Sequence, residues 1–337
     1  MNDCTLYVGL DYHQSSVQVC AMDVSGNVLV NRPCANNWAA IADAAEAHGR
    51  VKRAAIESCA GAANLTDDLV SRAGWSMDLA HPGYVQRMKG SPDKTDFSDA
   101  RMLADLERVG YLPKVWLAPE DVRELRRVVR FRQALVAERR NIKLRIGALL
   151  RDQRVRCHDA RPWTKVWLHW LRSTDAVSPE SRWVIDRQLA RLAYTLEDIS
   201  AVEDRLTELT KSDPLVVALQ GLHGIGPVTS WTIRAEIGRF DRFRTGKQLA
   251  RFCGLTPRNA SSGTRVADAG LIKAGNRQLR ATLIEAAQRL IRMDTTWKAL
   301  AHKLLARGKP KCVVIAAVAN RWVRWLFHQM QPSQLAA

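Results

Sequence analysis

The chain has 337 residues, of which 47% are hydrophobic, and a formal net charge of +17 at pH 7. This length predicts two or three globular domains, and no apolar run reaches the roughly 18 residues that span a bilayer, so we expect no membrane-spanning helix. The polar start Met1-Asn2-Asp3 is not typical of a signal peptide, and seven scattered cysteines without a CxxC pair argue against a disulfide framework and a zinc site.

The charge is distributed unevenly along the chain. Residues 1–110 carry 10 basic and 14 acidic side chains, residues 111–212 carry 21 and 14, and residues 213–337 carry 20 and 6. An acidic front and a strongly basic back indicate catalysis in one half and polyanion binding in the other. Arginine predominates among the basic residues, and its planar guanidinium is the better phosphate ligand. We therefore expect a nucleic-acid-binding protein of the cytoplasm, associated with the nucleoid.

The first predicted strand, Thr5–Leu10, ends in an acid, Asp11. A second strand-like run follows at 16–23, and the turn at 23–27 leads into a third at 28–30. A carboxylate at the tip of a buried central strand lies in a crevice where it can hold a metal ion or a phosphate. Asp11 is thus the first candidate site residue.

The next elements continue the same sheet. An alanine-rich helix is predicted over 37–48, with Asn36 or Asn37 as its N-cap, followed by a short buried strand at 52–56 that ends in Glu57. A helix over 62–73 and a strand over 75–80 complete the order. Three antiparallel strands followed by helix-strand-helix-strand is the order of the RNase H-like α/β fold. In that fold the first and fourth strands lie side by side, which would place Asp11 next to Glu57.

Two further acids lie in a helix that Thr95 is predicted to cap. Asp96 and Asp99 are three residues apart, so both carboxylates project from one helical face. They would repel each other unless a cation neutralised them. Aspartates in a first turn also serve the helix dipole alone, so the spacing by itself leaves both interpretations open.

The middle of the chain predicts a helical hairpin resembling a coiled coil. Apolar residues recur at 3/4 spacing over 118–150 and again over 180–210, interrupted by Arg132 and Arg139. We expect the region 111–212 to link the other domains and to support oligomerisation. Within the join, Trp163, Trp167 and Trp170 share one helical face; a small local core is favoured over base stacking.

The last third, 213–337, predicts a mostly α-helical domain. Gly224-Ile225-Gly226-Pro227 lies between two predicted helices, an arrangement that resembles the helix-hairpin-helix element whose turn amides meet phosphate. A plain junction between two helices explains this short motif equally well. A loop over 251–265 carries two serines flanked by arginines, and it is followed by a helix to about Arg292 and a C-terminal helix from Val313 to about Met330.

Three signatures occur together in one order: Leu10-Asp11-Tyr12-His13 with Glu57, the Lys94-Thr95-Asp96 helix with Asp99, and the segment 254–265 (GLTPRNASSGTR) followed by Asn276. In this combination the chain resembles the bacterial insertion-sequence transposases that join a DEDD RNase H-like (RuvC-like) domain to a serine-bearing C-terminal domain. Members of that family are recombinases guided by a bridge RNA, and pilin-gene invertases are relatives. The tryptophan-rich join at 157–180 has no counterpart in the family pattern.

The resemblance implies a set of site residues. The four acids Asp11, Glu57, Asp96 and Asp99 would hold magnesium, and the nucleophile would be Ser262, with Ser261 as the alternative. Basic residues around the serines would neutralise phosphate; they are Arg258, Arg265, Lys273 and Arg277. The implied partners are double-stranded DNA at the element ends and the target, a guide RNA, and further copies of the chain in a dimer or tetramer.

Other functions are compatible with part of the pattern. A metal-dependent nuclease such as a junction resolvase would share the four acids but not the serine loop. A sugar-kinase or actin-like ATPase would need a second glycine-rich phosphate turn, which the sequence lacks, and a non-catalytic nucleic-acid scaffold would leave the acids without a role. The sequence therefore predicts three domains: an RNase H-like catalytic domain (1–110), a long-helix hairpin (111–212) and a serine-bearing transposase domain (213–337).

Overall fold

The computed structural model describes residues 4–88, 95–259, 268–272 and 275–331. The chain divides into two compact units, 1–118 and 119–337. The long helices and the C-terminal helices both fall in the second unit. The finer division with boundaries at 110 and 212 stays a prediction.

The first unit is built on one six-stranded mixed sheet. Its strands are β1 (Thr5–Tyr12), β2 (Ser16–Met22), β3 (Val28–Ala35), β4 (Arg50–Glu57), β5 (Met77–Ala80) and β6 (Lys114–Val115). They lie in the order β3-β2-β1-β4-β5-β6, with β2 antiparallel to β1, and with β1, β4 and β5 parallel to one another. The first and fourth strands are neighbours, and the predicted RNase H-like fold is confirmed.

Helices cover both faces of this sheet: α1 (Trp38–Glu46), α2 (Ala62–Arg72), α3 (Pro82–Met88) and α4 (Asp96–Arg108). The predicted cap of α1 is present, because the Asn37 side chain accepts a hydrogen bond from the Ala40 amide. Leu6, Val8 and Leu10 of β1 pack in one core with α1 and α2. Since side chains alternate along a strand, the residues between them face α4.

The second unit opens with the predicted hairpin, formed by α5 (Glu120–Asp152), α6 (Lys165–Ser173) and α7 (Pro179–Thr210). The start of α5 packs on the end of α7 through Leu125 and Leu206, and the end of α5 packs on the start of α7 through Ile142 and Ile185. The two long helices are therefore antiparallel, and the apolar seam is buried within a single chain.

One of the two interruptions of the seam has a partner of its own. Arg132, which stands where an apolar residue was due, pairs with Glu203 across the hairpin at 2.8 Å. In the join, Trp167 is buried and contacts Trp163 and Trp170, and all three belong to a core shared with the hairpin. The local core expected for these tryptophans is present.

The remaining elements of the second unit are mostly helical. They are α8 (Pro214–Gln220), α9 (Pro227–Ile237), α10 (Gly246–Phe252), β7 (Pro257–Asn259), β8 (Asp268–Leu271), α11 (Arg277–Met293), α12 (Thr295–Ala306) and α13 (Lys311–Gln329). The helices α8 and α9 pack together around the predicted glycine turn, where Gly224 has φ +82°. Across the described ranges, no helix combines the length and apolar character needed to cross a bilayer.

Candidate catalytic site

Asp11 and Glu57 lie at the same end of two adjacent parallel strands. The last paired residues of β1 and β4 are Leu10 and Ile56, so Asp11 and Glu57 each follow directly on neighbouring strands. Such strands are about 4.8 Å apart. The proximity expected from the sequence therefore follows from the strand register.

Helix α4 brings the other two acids to this end of the sheet. It begins after Thr95, whose hydroxyl accepts a hydrogen bond from the Ser98 amide, while the Ser98 hydroxyl accepts one from the Thr95 amide. This reciprocal cap fixes the first turn, in which Asp96 is exposed and Asp99 is buried. The predicted cap at Thr95 is confirmed.

The close approach of α4 to β1 depends on a glycine. A Cβ on Gly9 would lie 2.0 Å from the carbonyl oxygen of Ala100 and 2.4 Å from the amide nitrogen of Ala104. The backbone of α4 thus rests directly on the backbone of β1, next to Asp11. No other residue type would permit this packing without a shift of the helix.

A histidine lies between two of the carboxylates. Nε2 of His13 is 3.3 Å from Oδ2 of Asp11 and 3.2 Å from Oδ2 of Asp96. One ligand atom from each of these three residues lies within 4.8 Å of the others. His13 belongs to the Leu10–His13 motif, but the sequence alone does not assign it to the site. The sequence signal for His13 is its position two residues after Asp11, which places both side chains on the same side of an extended chain.

The electrostatics of the cluster indicate a site that a cation would stabilise. Burial raises the pKa of Asp11, His13 opposes that shift, and the negative charges of Asp99 and Asp96 raise the pKa further. Burial also raises the pKa of the Cys59 thiol, with added contributions from the charges of Glu57 and Asp11. Asp11 therefore shares one local field with Asp96 and Asp99, and Glu57 and Asp11 both act on the Cys59 thiol. The catalytic roles of the four acids stay predictions.

Carboxylate oxygens are the ligands that Mg²⁺ and other hard divalent cations favour. The donor set fits such an ion, because a partly buried Asp11 beside two like charges is unfavourable without one. Asp11 and Asp96, with Asp99 and Glu57 nearby, are the residues that would hold it. His13 supplies a nitrogen donor at the exposed side of the same cluster.

The second group of predicted site residues lies in the second unit. Ser261, Ser262, Arg265 and Lys273 fall outside the described residues. The two strands β7 and β8 pair on either side of this segment, with Pro257 opposite Leu271. Arg258 in β7 and Arg277 at the start of α11 are both exposed, where they are accessible to a phosphate.

A buried carboxylate that sequence reasoning missed fixes the start of α11. The Asn276 side chain caps α11 by accepting from the Leu279 amide, and its Nδ2 donates to Oε2 of Glu236 at 2.5 Å. Glu236 lies on α9 and is only 4% exposed. Arg130 of α5 donates to both of its oxygens, at 2.8 and 3.0 Å. One carboxylate thus joins α5, α9 and the beginning of α11.

The fold and the acid cluster define a class. An RNase H-like domain with carboxylates at the tips of β1 and β4 and on α4, joined to a basic helical unit, is an arrangement suited to metal-dependent phosphoryl transfer on nucleic acids. The acidic cluster of a domain of this DEDD type implies a divalent metal ion.

Comparisons with known proteins then give the family. A family model of DEDD transposases of the IS110 type matches residues 8–153, and a model described as "Transposase IS116/IS110/IS902 family" matches residues 217–302. The chain belongs to the IS110/IS116/IS902 family of transposases.

Relatives align over most of the chain. The "Transposase for insertion sequence element IS1111A" of Coxiella burnetii is 26% identical over 332 residues, which cover 94% of this chain and 88% of the relative. "Putative transposase y4qE" of Sinorhizobium fredii is 28% identical over 280 residues, covering 75% of this chain and 68% of the relative. The similarity thus includes both units.

Proposed function

We propose that this transposase cleaves and rejoins DNA strands through a serine of its second unit, with Mg²⁺ held by the acids of the first. The observation that carries the proposal is the convergence of Asp11, Asp96 and His13, with Asp99 beside them, on the domain that the DEDD transposase model matches. The serine segment supplies the second part, because its sequence resembles the serine loop of the same family.

The acids have a defined task in this proposal. Asp11, Glu57, Asp96 and Asp99 hold the ion, and His13 positions Asp11 by donating from Nε2 to its Oδ2, with Oδ2 of Asp96 at 3.2 Å from the same nitrogen. When bound, Mg²⁺ offsets phosphate charge and stabilises attacking and leaving oxygens. The buried position of Asp99 and the rigid cap of α4 hold these side chains in place before substrate binds.

Ser262 is the proposed nucleophile. Its Oγ forms a bond to the phosphorus of the scissile phosphodiester, one bond from phosphorus to a sugar oxygen breaks, and the serine proton passes to the released sugar hydroxyl. A second sugar hydroxyl then attacks the phosphoserine, which restores the serine and joins the new strand. The number of phosphodiester bonds is conserved, so no water is consumed.

The same proposal assigns binding partners to the basic residues of the second unit. Double-stranded DNA at the element ends and target would meet Arg258, Arg265, Lys273 and Arg277, and a bridge RNA would choose the sequences to be joined. The basic excess of residues 213–337, with 20 basic and 6 acidic side chains, supports binding of both polyanions. A dimer or tetramer would supply a serine and an acid cluster for each strand.

The experiment is the capture of a covalent intermediate. Labelled substrate DNA is incubated with the protein, Mg²⁺ and guide RNA and then denatured. Label should stay on the wild-type protein and on Ser261→Ala, and it should be absent from Ser262→Ala and Asp11→Ala. A misplacement of about 1 Å can cost on the order of a hundredfold, so the neighbouring Ser261 would not substitute.

The alternative is a metal-dependent nuclease, which would use activated water. In that case Ser262→Ala would still cleave the substrate, and no protein would carry label under conditions that support cleavage. Label lost in Ser261→Ala but kept in Ser262→Ala would move the nucleophile by one position.

A further inference from the structure

The join between α5 and α7 lines an open cavity of about 890 Å³. Five cationic side chains line it: Lys143, Arg151, Arg154, Arg156 and Arg161. The four arginines are exposed, and Lys143 is half-buried. A concave site of this size suits a small ligand or a single nucleotide of a longer chain. Its lining includes one acid, Asp159, and the excess of cations over that acid favours an anion.

Trp163 differs from the other two tryptophans of the join. Trp167 is buried in the local core, whereas Trp163 is half-buried and lines the cavity. Its backbone has φ +70°, and Arg154, at the other end of the same loop, has φ +56°. Residues other than glycine are uncommon in this region, and such strain concentrates at binding sites. The loop is therefore held in a conformation that local preferences oppose.

The Trp163 ring already contacts a cation. Nζ of Lys143 lies 4.8 Å from the ring centroid, within the range of a cation–π contact. Burial lowers the pKa of Lys143, and the charge of Arg139 lowers it further. A bound phosphate would relieve this crowding of positive charge.

A second cavity extends the first along α5. It measures about 610 Å³ and shares Lys143, Leu144 and Trp163 with the first, so the two form one groove. It reaches α9 and α11 and adds Arg132, Arg139 and Arg140 to the lining. Of the groove's eight cations, only Arg132 pairs with a carboxylate among the described residues. From Arg132 to Arg154 the groove follows about 33 Å of chain, at about 1.5 Å per helical residue.

We propose that this groove binds a single-stranded segment of nucleic acid, with one unstacked base against Trp163 and the adjoining phosphates against the loop arginines. The length of the groove favours a strand over a free nucleotide, and an aromatic face among arginines favours nucleic acid over an acidic protein. Trp163 and the loop arginines Arg154, Arg156 and Arg161 lie in the segment 154–216, outside both family-model matches, whereas the groove's other cations lie inside the match to residues 8–153. The base-stacking end of the groove would therefore be an addition to what the family models describe. The inference rests on the proposed function only in taking nucleic acid as the partner.

The first test removes charge from the groove of the full-length protein. Arg156→Gln/Arg161→Gln is compared with Arg145→Gln/Arg187→Gln, a control pair of equally exposed arginines on the same hairpin that do not line either cavity. Binding of fluorescent single-stranded RNA, single-stranded DNA and duplex DNA of equal length is followed by anisotropy over a salt series. The groove pair should reduce the single-strand salt slope by about 1.4, at about 0.7 for each lost phosphate contact, relative to the control pair.

The second test removes the stacking surface. Trp163→Leu should weaken single-strand binding by roughly five- to a hundredfold, the range for one stacked base, whereas the exposed Trp183→Leu should leave it unchanged. Circular dichroism checks that each variant is folded. Should Trp163→Leu fail to fold, the arginine pair, which lies on the surface, still decides the question.

The three nucleic acids and the control variants together distinguish the possible outcomes. A loss confined to RNA or to single-stranded DNA supports the proposal and identifies which strand the groove takes. An equal loss with duplex DNA, or equal effects of groove and control pairs, overturns it. No step uses the serine, and Ser262→Ala should bind these strands as the wild type does. Failure of the groove and failure of the serine mechanism would therefore be seen in different experiments.

Discussion

Replacing Gly9 by Ala tests whether the approach of α4 to β1 assembles the acid cluster. The new Cβ would lie 2.0 Å from the carbonyl oxygen of Ala100, where ordinary contact begins at 3.4 Å. Helix α4 would have to retreat by about 1.4 Å, because close-packed interiors have no free volume to absorb the overlap. Asp96 and Asp99 would retreat with it, while Asp11 would stay on β1.

Two measurable effects should follow from this shift. Overpacking of this kind costs about 1–3 kcal/mol, so the urea midpoint should fall. A misplacement of about 1 Å can cost on the order of a hundredfold in rate, so formation of the covalent protein–DNA adduct should fall by about that factor below the unfolding temperature. The matched control is Gly83→Ala in α3, where the new Cβ would lie 3.5 Å from the His81 ring, an ordinary contact distance. This variant should have the urea midpoint and the adduct formation of the wild type.

The clash is with backbone atoms, so a double variant can distinguish backbone contact from side-chain packing as the cause. Trimming the side chain of the facing residue in Gly9→Ala/Ala100→Gly should not restore activity, because the carbonyl oxygen of residue 100 remains in place. Restoration would mean that side-chain packing sets the spacing. Wild-type adduct formation by Gly9→Ala itself would refute the assembly of the cluster by this contact.

Three further outcomes are expected from the described geometry. Mg²⁺ should raise the melting temperature of the wild type but not of Asp11→Asn, since binding to the folded state alone stabilises it; an equal rise in both would place the ion elsewhere. Glu236→Gln should destabilise the protein by about 2–3 kcal/mol in urea unfolding, because Arg130 loses a charged partner. Lys211→Gln, which removes an exposed ion pair with Glu208, should change the stability little. Ile142→Asp should lower the free energy of unfolding in urea by more than about 3 kcal/mol, since it buries a charge in the hairpin core; an unchanged free energy would place this residue outside a packed seam.

Much of the first unit could be predicted from the sequence because its signals are local. Alternating apolar residues give the strands, and Asn37 and Thr95 mark the helix starts through their own side chains. The neighbouring positions of β1 and β4 followed from element order alone. The two-residue strand β6 was missed, because so short a segment carries no periodicity and pairs only through the tertiary fold.

The hairpin shows where the sequence pattern was ambiguous. A 3/4 apolar stripe predicts a seam but does not say whether the partner helix belongs to the same chain. The stripe of α5, including Leu135 and Ile142, is buried in the single chain. Oligomerisation through the hairpin stays a prediction, and any interface there would use other residues, such as the exposed Trp183 and Tyr194 of α7.

His13 and Glu236 could not be assigned for a different reason. Each joins its site through a partner that is distant in sequence: His13, besides its neighbour Asp11, meets Asp96 across 83 positions, and Glu236 meets Arg130 across 106. Spacing rules detect partners within a turn of helix or along one strand. Contacts of this range depend on the packing of whole elements.

The Glu236 contacts bear on how the second unit can work. Asn276 both caps α11 and donates to Glu236, and Glu236 accepts from Arg130 of the hairpin. Gly275, with φ +110°, brings the chain so close that a Cβ would meet the Phe252 carbonyl oxygen at 2.7 Å. The chain that enters α11 is therefore fixed to the hairpin and to α10 at adjacent residues. A displacement of α5 on binding nucleic acid in its groove would act on Arg130, and through Glu236 on the residue at which α11 begins.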